Sequence, residues 1–214
     1  MVTLAHTAEI FVGATPDPRA AGKARYLRQS DVLPGAIARI WGVEAGVPSR
    51  GRDTSLIEGD VVVRARGGVP VAAIVQADHA HAFATTELCV VRPDSSRLAS
   101  SFLAAFLNSP DAQNQLAAGW QGSAHTRLTV AALARLDLPT LPLATQELIG
   151  GVAADAFLEL DLLERLRELR GQLRQKLLHR LMEKARAESA NSQRGLITGP
   201  VASNGSGPSS HRSR

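Results

Sequence analysis

From Leu143 to about Ala187 the chain repeats an apolar residue at every third or fourth position: Ile149, Val152, Ala156, Leu160, Leu163, Leu166, Leu169, Leu173, Leu177 and Leu181. Charged residues fill the positions between, from Glu159 and Asp161 through Arg174 and Lys176 to Lys184. That period is the stripe of an amphipathic helix that packs lengthwise on another helix. About forty-five residues at ~1.5 Å each make a rod of roughly 65 Å. One domain of this chain's size cannot cover such a rod from end to end. The pattern therefore predicts a partner helix, from a second copy or from another protein. Pro142 stands just before the first turn, where a missing N–H costs nothing. Gln146 and Glu147 fall in that turn, where negative charge suits the helix dipole. Gly150-Gly151 costs roughly 1 kcal/mol per glycine against Ala. It predicts either a bend or a neighbour packed on bare backbone.

The residues before the rod read as a β-rich head with small helices. Ile10-Phe11-Val12 is a short apolar element followed by a turn-rich loop, and Gln29 to Gly35 reads as a further turn. Gly59-Asp60 leads into a β-branched strand, Val61-Val62-Val63-Arg64, with Val61 and Val63 on one face and Val62 and Arg64 on the other. Gly67-Gly68 turns the chain out of it, Val69 to Val75 is the expected partner, and Leu88 to Val91 a third strand. Gly59 to Val91 is thus expected to be a β-meander with two arginines at one hairpin end. Leu98 to Leu107 has helical spacing. Ser109-Pro110-Asp111 starts a second helix that runs to Ala118, and Thr129 caps a short third over Val130 to Ala134. The expected fold class is α+β: a head at 1–142, the long helix at 143–187, and a disordered Ser/Asn/Gly/Pro-rich tail at 188–214.

The 214 residues carry a net charge of +4 and a sequence pI near 10.0. That balance permits a polyanionic partner without demanding one. The basic residues are nearly all arginine, with only Lys23, Lys176 and Lys184 besides. Arginine is the better residue for phosphate forks and guanine edges. The single cysteine, Cys89, sits in an apolar run and reads as a core residue in a reducing cytoplasm. No apolar run is long enough for a membrane span, and no signal peptide is recognisable.

Enzyme chemistry is hard to place. There is no Gly-rich phosphate loop of the GxxxxGK type, and no Gly-rich S-adenosylmethionine loop with an Asn/Asp-Pro-Pro-aromatic motif. His79 and His81 lack a third ligand, so Asp78 to His81 reads as a surface loop and no metal is expected. Asp60 near Arg64 and Arg66 lacks the lysine of a nuclease core and reads as a solvated turn aspartate.

Five segments, in order, resemble those of the specificity (S) subunits of type I restriction–modification systems. Ala8 to Pro16 is similar to that family's "I…G.TP" opening. Tyr26-Leu27-Arg28-Gln29-Ser30-Asp31-Val32 is similar to its "Y/I-hydrophobic-R…D-hydrophobic" segment. Gly59 to Gly67 resembles the "GD-hydrophobic…R.G" strand, and Gly122-Ser123 with Leu128 the "GS…L" segment. Leu136 to Ile149 resembles the "I.IP.PPL.EQ..I" junction into the long helix, with Leu141-Pro142 where Pro-Pro is usual and Thr145 where Glu is common. The resemblance spans about residues 8 to 182, with one recognition domain and one helix where the family usually has two of each. It implies a half-length specificity subunit without catalytic residues. It further implies a homodimer with antiparallel helices that reads a split, inverted-repeat site in double-stranded DNA. The implied partners are an adenine methyltransferase subunit, which holds S-adenosylmethionine, and a restriction subunit in systems that cleave.

Under that reading the loop basics Lys23, Arg25, Arg28, Arg50, Arg52, Arg64, Arg66 and Arg127 are candidates for phosphate and groove contacts, and Gln29, Gln121 and His125 for base edges. Leu160, Leu163, Leu166, Leu173, Leu177 and Leu181 are the candidates for helix pairing. The rival reading is a coiled-coil adaptor that binds protein and never touches DNA.

Overall fold

In the computed structural model the described residues are 1–20, 22–38, 42–48, 54–66, 69–118 and 127–197, with side chains described to 186. The chain divides into two compact units, Met1–Asp161 and Leu162–Arg214. The first is the α+β head with the opening turns of the long helix, and the second begins within that helix.

The strands are β1 (Val2–Thr3), β2 (Ala8–Val12), β3 (Lys23–Leu27), β4 (Val32–Leu33), β5 (Ala36–Ile37), β6 (Val43–Gly46), β7 (Val61–Arg64), β8 (Ala72–Ile74), β9 (Phe83–Ala84), β10 (Leu88–Pro93) and β11 (Asp137–Leu138). The helices are α1 (Ser100–Leu107), α2 (Pro110–Ala118), α3 (Val130–Ala134) and α4 (Leu143–Ile197). Helix α4 thus continues to Ile197, into the stretch from 188 expected as a disordered tail, and the rest of that stretch, 198–214, lies outside the described residues.

The central sheet runs β2-β10-β7-β8, all antiparallel. The expected meander is corrected here: β10 pairs with the free edge of β7 rather than with β8. The reason is in β7 itself. Val61, Val62 and Val63 are all fully buried, so the strand is covered on both faces, and its buried backbone N–H and C=O groups need a paired strand on each edge. Val61 and Val63 join a cluster with Leu4, Val91, Leu103 and Leu107, while Val62 faces a second cluster with Leu27, Val32, Leu56 and Val90. The small sheet β6-β3-β9 and the hairpin β4-β5 supply that second layer. The stretch read as one turn is this hairpin, with Gly35 at φ +74°. Only Gly adopts that conformation without strain.

The helix signals behave as expected. Thr129 accepts a hydrogen bond from Ala132 N–H at 3.1 Å, and α2 opens at Pro110. On α1, Phe102, Leu103, Phe106 and Leu107 are buried. Asn108, at its end, pins edge strand β8: Oδ1 accepts from Ala72 N–H at 3.0 Å and Nδ2 donates to Ala72 O at 2.9 Å.

Two residues expected in solvent are buried. Asp60 is 1% exposed. Arg92 reaches it across the sheet with two hydrogen bonds, and Ile57 N–H donates a third at 3.0 Å. His79 is 6% exposed, packed into a short 3-10 turn where its Nδ1 accepts from Gln76 N–H at 3.2 Å.

The glycine pair of α4 is resolved in favour of close packing. A Cβ on Gly150 would fall within 2.7 Å of Phe102 N and closer still to the Ser101 side chain, whereas one on Gly151 would meet nothing within 4 Å. Gln146 also lies inward rather than at an exposed first turn. The buried or half-buried face of this stretch is Gln146, Gly150, Ala153 and Phe157, the last packed over Gly35. Ile149 and Val152 of the expected row lie to one side of that face and stay exposed, while Leu160 continues the face two turns beyond Ala153 and is exposed as well.

Candidate nucleic-acid interface

The β10 start defines one end of the central sheet, and short hydrogen bonds gather several basic segments there. Ala65 N–H donates to Glu87 O and Leu128 N–H to Ala65 O, each at 2.8 Å. Thr85 N–H donates to Leu27 O at 2.9 Å, which ties the end of β3 to the same turn. The segments carrying Arg28, Gln29, Arg64, Arg66 and Arg127 are thereby brought together.

They are not equivalent. Arg66 and Arg127 are exposed, and Arg127 Nη2 donates to Thr86 O at 3.3 Å. Arg28 is exposed, but its guanidinium reaches Asp31 at 3.3 Å. Gln29 is half-buried, and its Oε1 is buried and accepts no hydrogen bond among the described residues. Arg64, expected at the open end of a hairpin, turns inward: Nη2 donates to Val32 O and Nε is buried without an acceptor among the described residues. It braces the β4–β5 hairpin against β7, because the alternation of the strand points it at that layer.

Lys23 and Arg25 lie apart on β3, both exposed on one face of the ribbon it makes with β6, where Arg25 stands opposite Glu44. A basic two-stranded ribbon is one of the elements a major groove admits. Tyr26, between that face and the core, is fully buried and donates its hydroxyl to Gly46 O at 2.8 Å. Burial pushes its phenol above the ordinary value, with the charge of Asp17 adding to the effect. Arg50, Arg52, Gln121 and His125 lie outside the described residues.

The polar residues of the sequence motifs are scaffold. Asp31 is buried and its carboxylate accepts from Arg28 N–H at 2.9 Å and from Gly42 N–H at 3.0 Å. Burial alone would raise its pKa; those N–H groups and the Arg28 guanidinium outweigh burial and hold it below the ordinary 3.8. Asp60 is held by Arg92. Gln146 bonds three backbone groups of the head. Sequence periodicity could not mark these as structural, since their partners are distant in the chain. Cys89 is buried, and desolvation pushes its thiol up to about 11, so it is inert core. Among the described residues no group of three His, Cys, Asp or Glu could hold a metal, and no helix is long and apolar enough to cross a membrane.

Along α4 the six candidate pairing residues are 44–66% exposed: Leu160, Leu163, Leu166, Leu173, Leu177 and Leu181. These side chains are not covered by the chain itself.

No family model matches the chain, and no curated protein matches its sequence. Solved structures do resemble it. One is a chain of the type I R-M system, from work on that system's complex assembly and conformational transition. It is 22% identical, with 97% of this chain and 51% of that chain covered and a TM-score of 0.59. Another is the HsdS subunit from Thermoanaerobacter tengcongensis, 22% identical, with 92% of this chain and 46% of that one covered and a TM-score of 0.57. The chain spans about half the length of each. The likeness runs through the head and into the long helix, and at this identity it is a likeness of fold. The likeness to these two structures leads to one conclusion: the chain has the fold of the HsdS specificity subunits of type I restriction–modification systems.

Proposed function

We propose that the chain is a DNA-recognition subunit of a type I-like restriction–modification or defence-associated adenine methyltransferase complex. It binds double-stranded DNA and performs no chemistry itself. Two copies pair through the leucine row of α4, and each head reads one half of a bipartite, inverted-repeat site, since a two-fold protein matches a two-fold site. The methyltransferase subunit docks on the helices and brings S-adenosylmethionine; a restriction subunit joins where the system cleaves.

The observation that carries this reading is the fold likeness over 97% of the chain. The exposed row supports the pairing. Twelve half-exposed leucines from two copies recover on the order of 10–20 kcal/mol when covered. Association costs about 4–15 kcal/mol. Exposed Lys23, Arg25, Arg66 and Arg127 supply cations for phosphates.

The test is binding to random duplex DNA over a salt series, with the chain alone and with the product of the neighbouring gene. DNA recognition requires log affinity to fall linearly with log salt, by nearly one unit per phosphate contact. A helix-paired protein that shifts no DNA in either mixture is the adaptor instead.

A further inference from the structure

Among the described residues of α4, Gln146 is the polar side chain that is buried, at 4% exposed. Its Oε1 accepts from Ala99 N–H at 3.0 Å, and its Nε2 donates to Arg97 O and to Leu141 O, each at 3.0 Å. Ala99 precedes α1 and has no side chain that could cap it. Gln146 of α4 therefore meets a helix-end need of α1 while tying down its own approach segment. One turn later Gly150 leaves no room for a Cβ against Ser101 and Phe102. A further two turns on, Phe157 packs over Gly35. Apolar contacts tolerate sliding, whereas hydrogen bonds weaken steeply when misaligned. The two bonds to Ala99 N–H and Arg97 O, with Gly150 against Ser101 and Phe102, leave this first stretch of α4 a single rotation and a single rise on α1. Each residue of slippage would turn the helix by roughly 100°.

Building on the paired DNA-reading function above, we propose that Gln146 is a positioning residue that sets the rotation and direction of α4 on the head. Through them it sets the separation of the two heads, and so the spacer length between the half-sites a pair accepts. The leucine row is counted along the same continuous helix, Leu143–Ile197.

Two readouts test this, one independent of DNA. In the full chain, spin labels go on S95C and E159C, both exposed positions, while buried Cys89 stays unlabelled. The variants are Q146M, which keeps length and packing but loses all three bonds, and Q146N, which keeps the amide but loses its reach. The expected result is one narrow label distance in the parent and a broadened or shifted one in both variants, at unchanged helix content. Duplexes are then selected from a randomised library. The parent is expected to prefer one spacer over its neighbours by roughly tenfold, a difference of about 1.4 kcal/mol. The variants should enrich the same half-sites with that preference lost. Parent-like distances in both variants overturn the proposal, as does a parent-like spacer preference despite broadened distances. If the parent selects no bipartite site at all, the DNA-reading function falls and takes the spacer claim with it. The label distances then still decide whether Gln146 positions the helix.

Discussion

Arg92 donates from both Nε and Nη2 to the carboxylate of Asp60, each at 2.8 Å, across the two adjacent strands at the sheet's centre. The Asp60 side chain has no solvent exposure, and the Arg92 guanidinium also lies over the Phe11 ring at 5.4 Å. The pair locks the turn before β7 to β10. Removing Arg92 leaves the fully buried Asp60 carboxylate without its counter-charge. Arg92→Ala is therefore expected to cost about 3–5 kcal/mol. A urea melt checks it, and a loss below about 1 kcal/mol contradicts the account.

Adjacent glycines on α4 should respond with opposite sign. Ala is the better helix former by roughly 1 kcal/mol. At Gly151 nothing opposes that gain, so Gly151→Ala should raise the melting temperature. At Gly150 the new methyl group meets Ser101 and the backbone of Phe102, an overpacking cost of about 1–3 kcal/mol. Gly150→Ala should lower it. Equal shifts would mean that α4 does not lie against α1 as described.

The leucine row should govern assembly and leave the head alone. Leu166→Glu with Leu173→Glu alters side chains that are exposed in the single chain. The thermal stability of the head should therefore stay put. Sedimentation should show the doubly substituted protein as a monomer at concentrations where the parent is paired. Unchanged mass would move the interface elsewhere.

The arginines should separate into two classes. Arg66→Ala with Arg127→Ala removes two exposed cations, so DNA affinity should fall and the log–log salt slope should shrink by about one to two units. Arg64→Ala removes the bond to Val32 O, and should instead destabilise the β4–β5 hairpin by about 1–3 kcal/mol. Comparison of urea midpoints with gel-shift affinities separates the classes, and a swapped pattern refutes the assignment.

Asp31 links stability to acid. Its folded pKa lies below the ordinary 3.8, so the unfolded chain takes up its proton first as pH falls. The stabilisation is complete above that value and is lost as pH drops through the folded one. Asp31→Asn should be less stable than the parent at pH 7. The gap should close below pH ~4. Melts at pH 7, 4 and 3 test this, and a gap that widens in acid reverses the sign.

The residues legible in advance were those whose reasons are local. The leucine period announced α4, three consecutive valines announced β7, and Ser109-Pro110 and Thr129 announced their helices, because caps and periodicities involve neighbours within a turn. Exposed Lys23, Arg25, Arg28, Arg66 and Arg127 were also recognisable as candidates. What chain order concealed was the neighbour across space. A triple valine does not say which strand lies on either side, so chain order alone puts β10 beside β8 where the structure pairs it with β7. A glycine pair does not say which glycine is touched.

What the sequence determined by itself, then, is the inventory: a β-rich head, short capped helices and one long amphipathic helix with an unfilled apolar row. Only the tertiary structure decided which polar residues are buried. Asp60 and Arg92 are 32 residues apart, and Gln146 and Ala99 are 47 apart. Burying a carboxylate or an amide is affordable only when a partner arrives from elsewhere in the chain. That arrival is a property of the packed sheet and helices, and no local pattern records it.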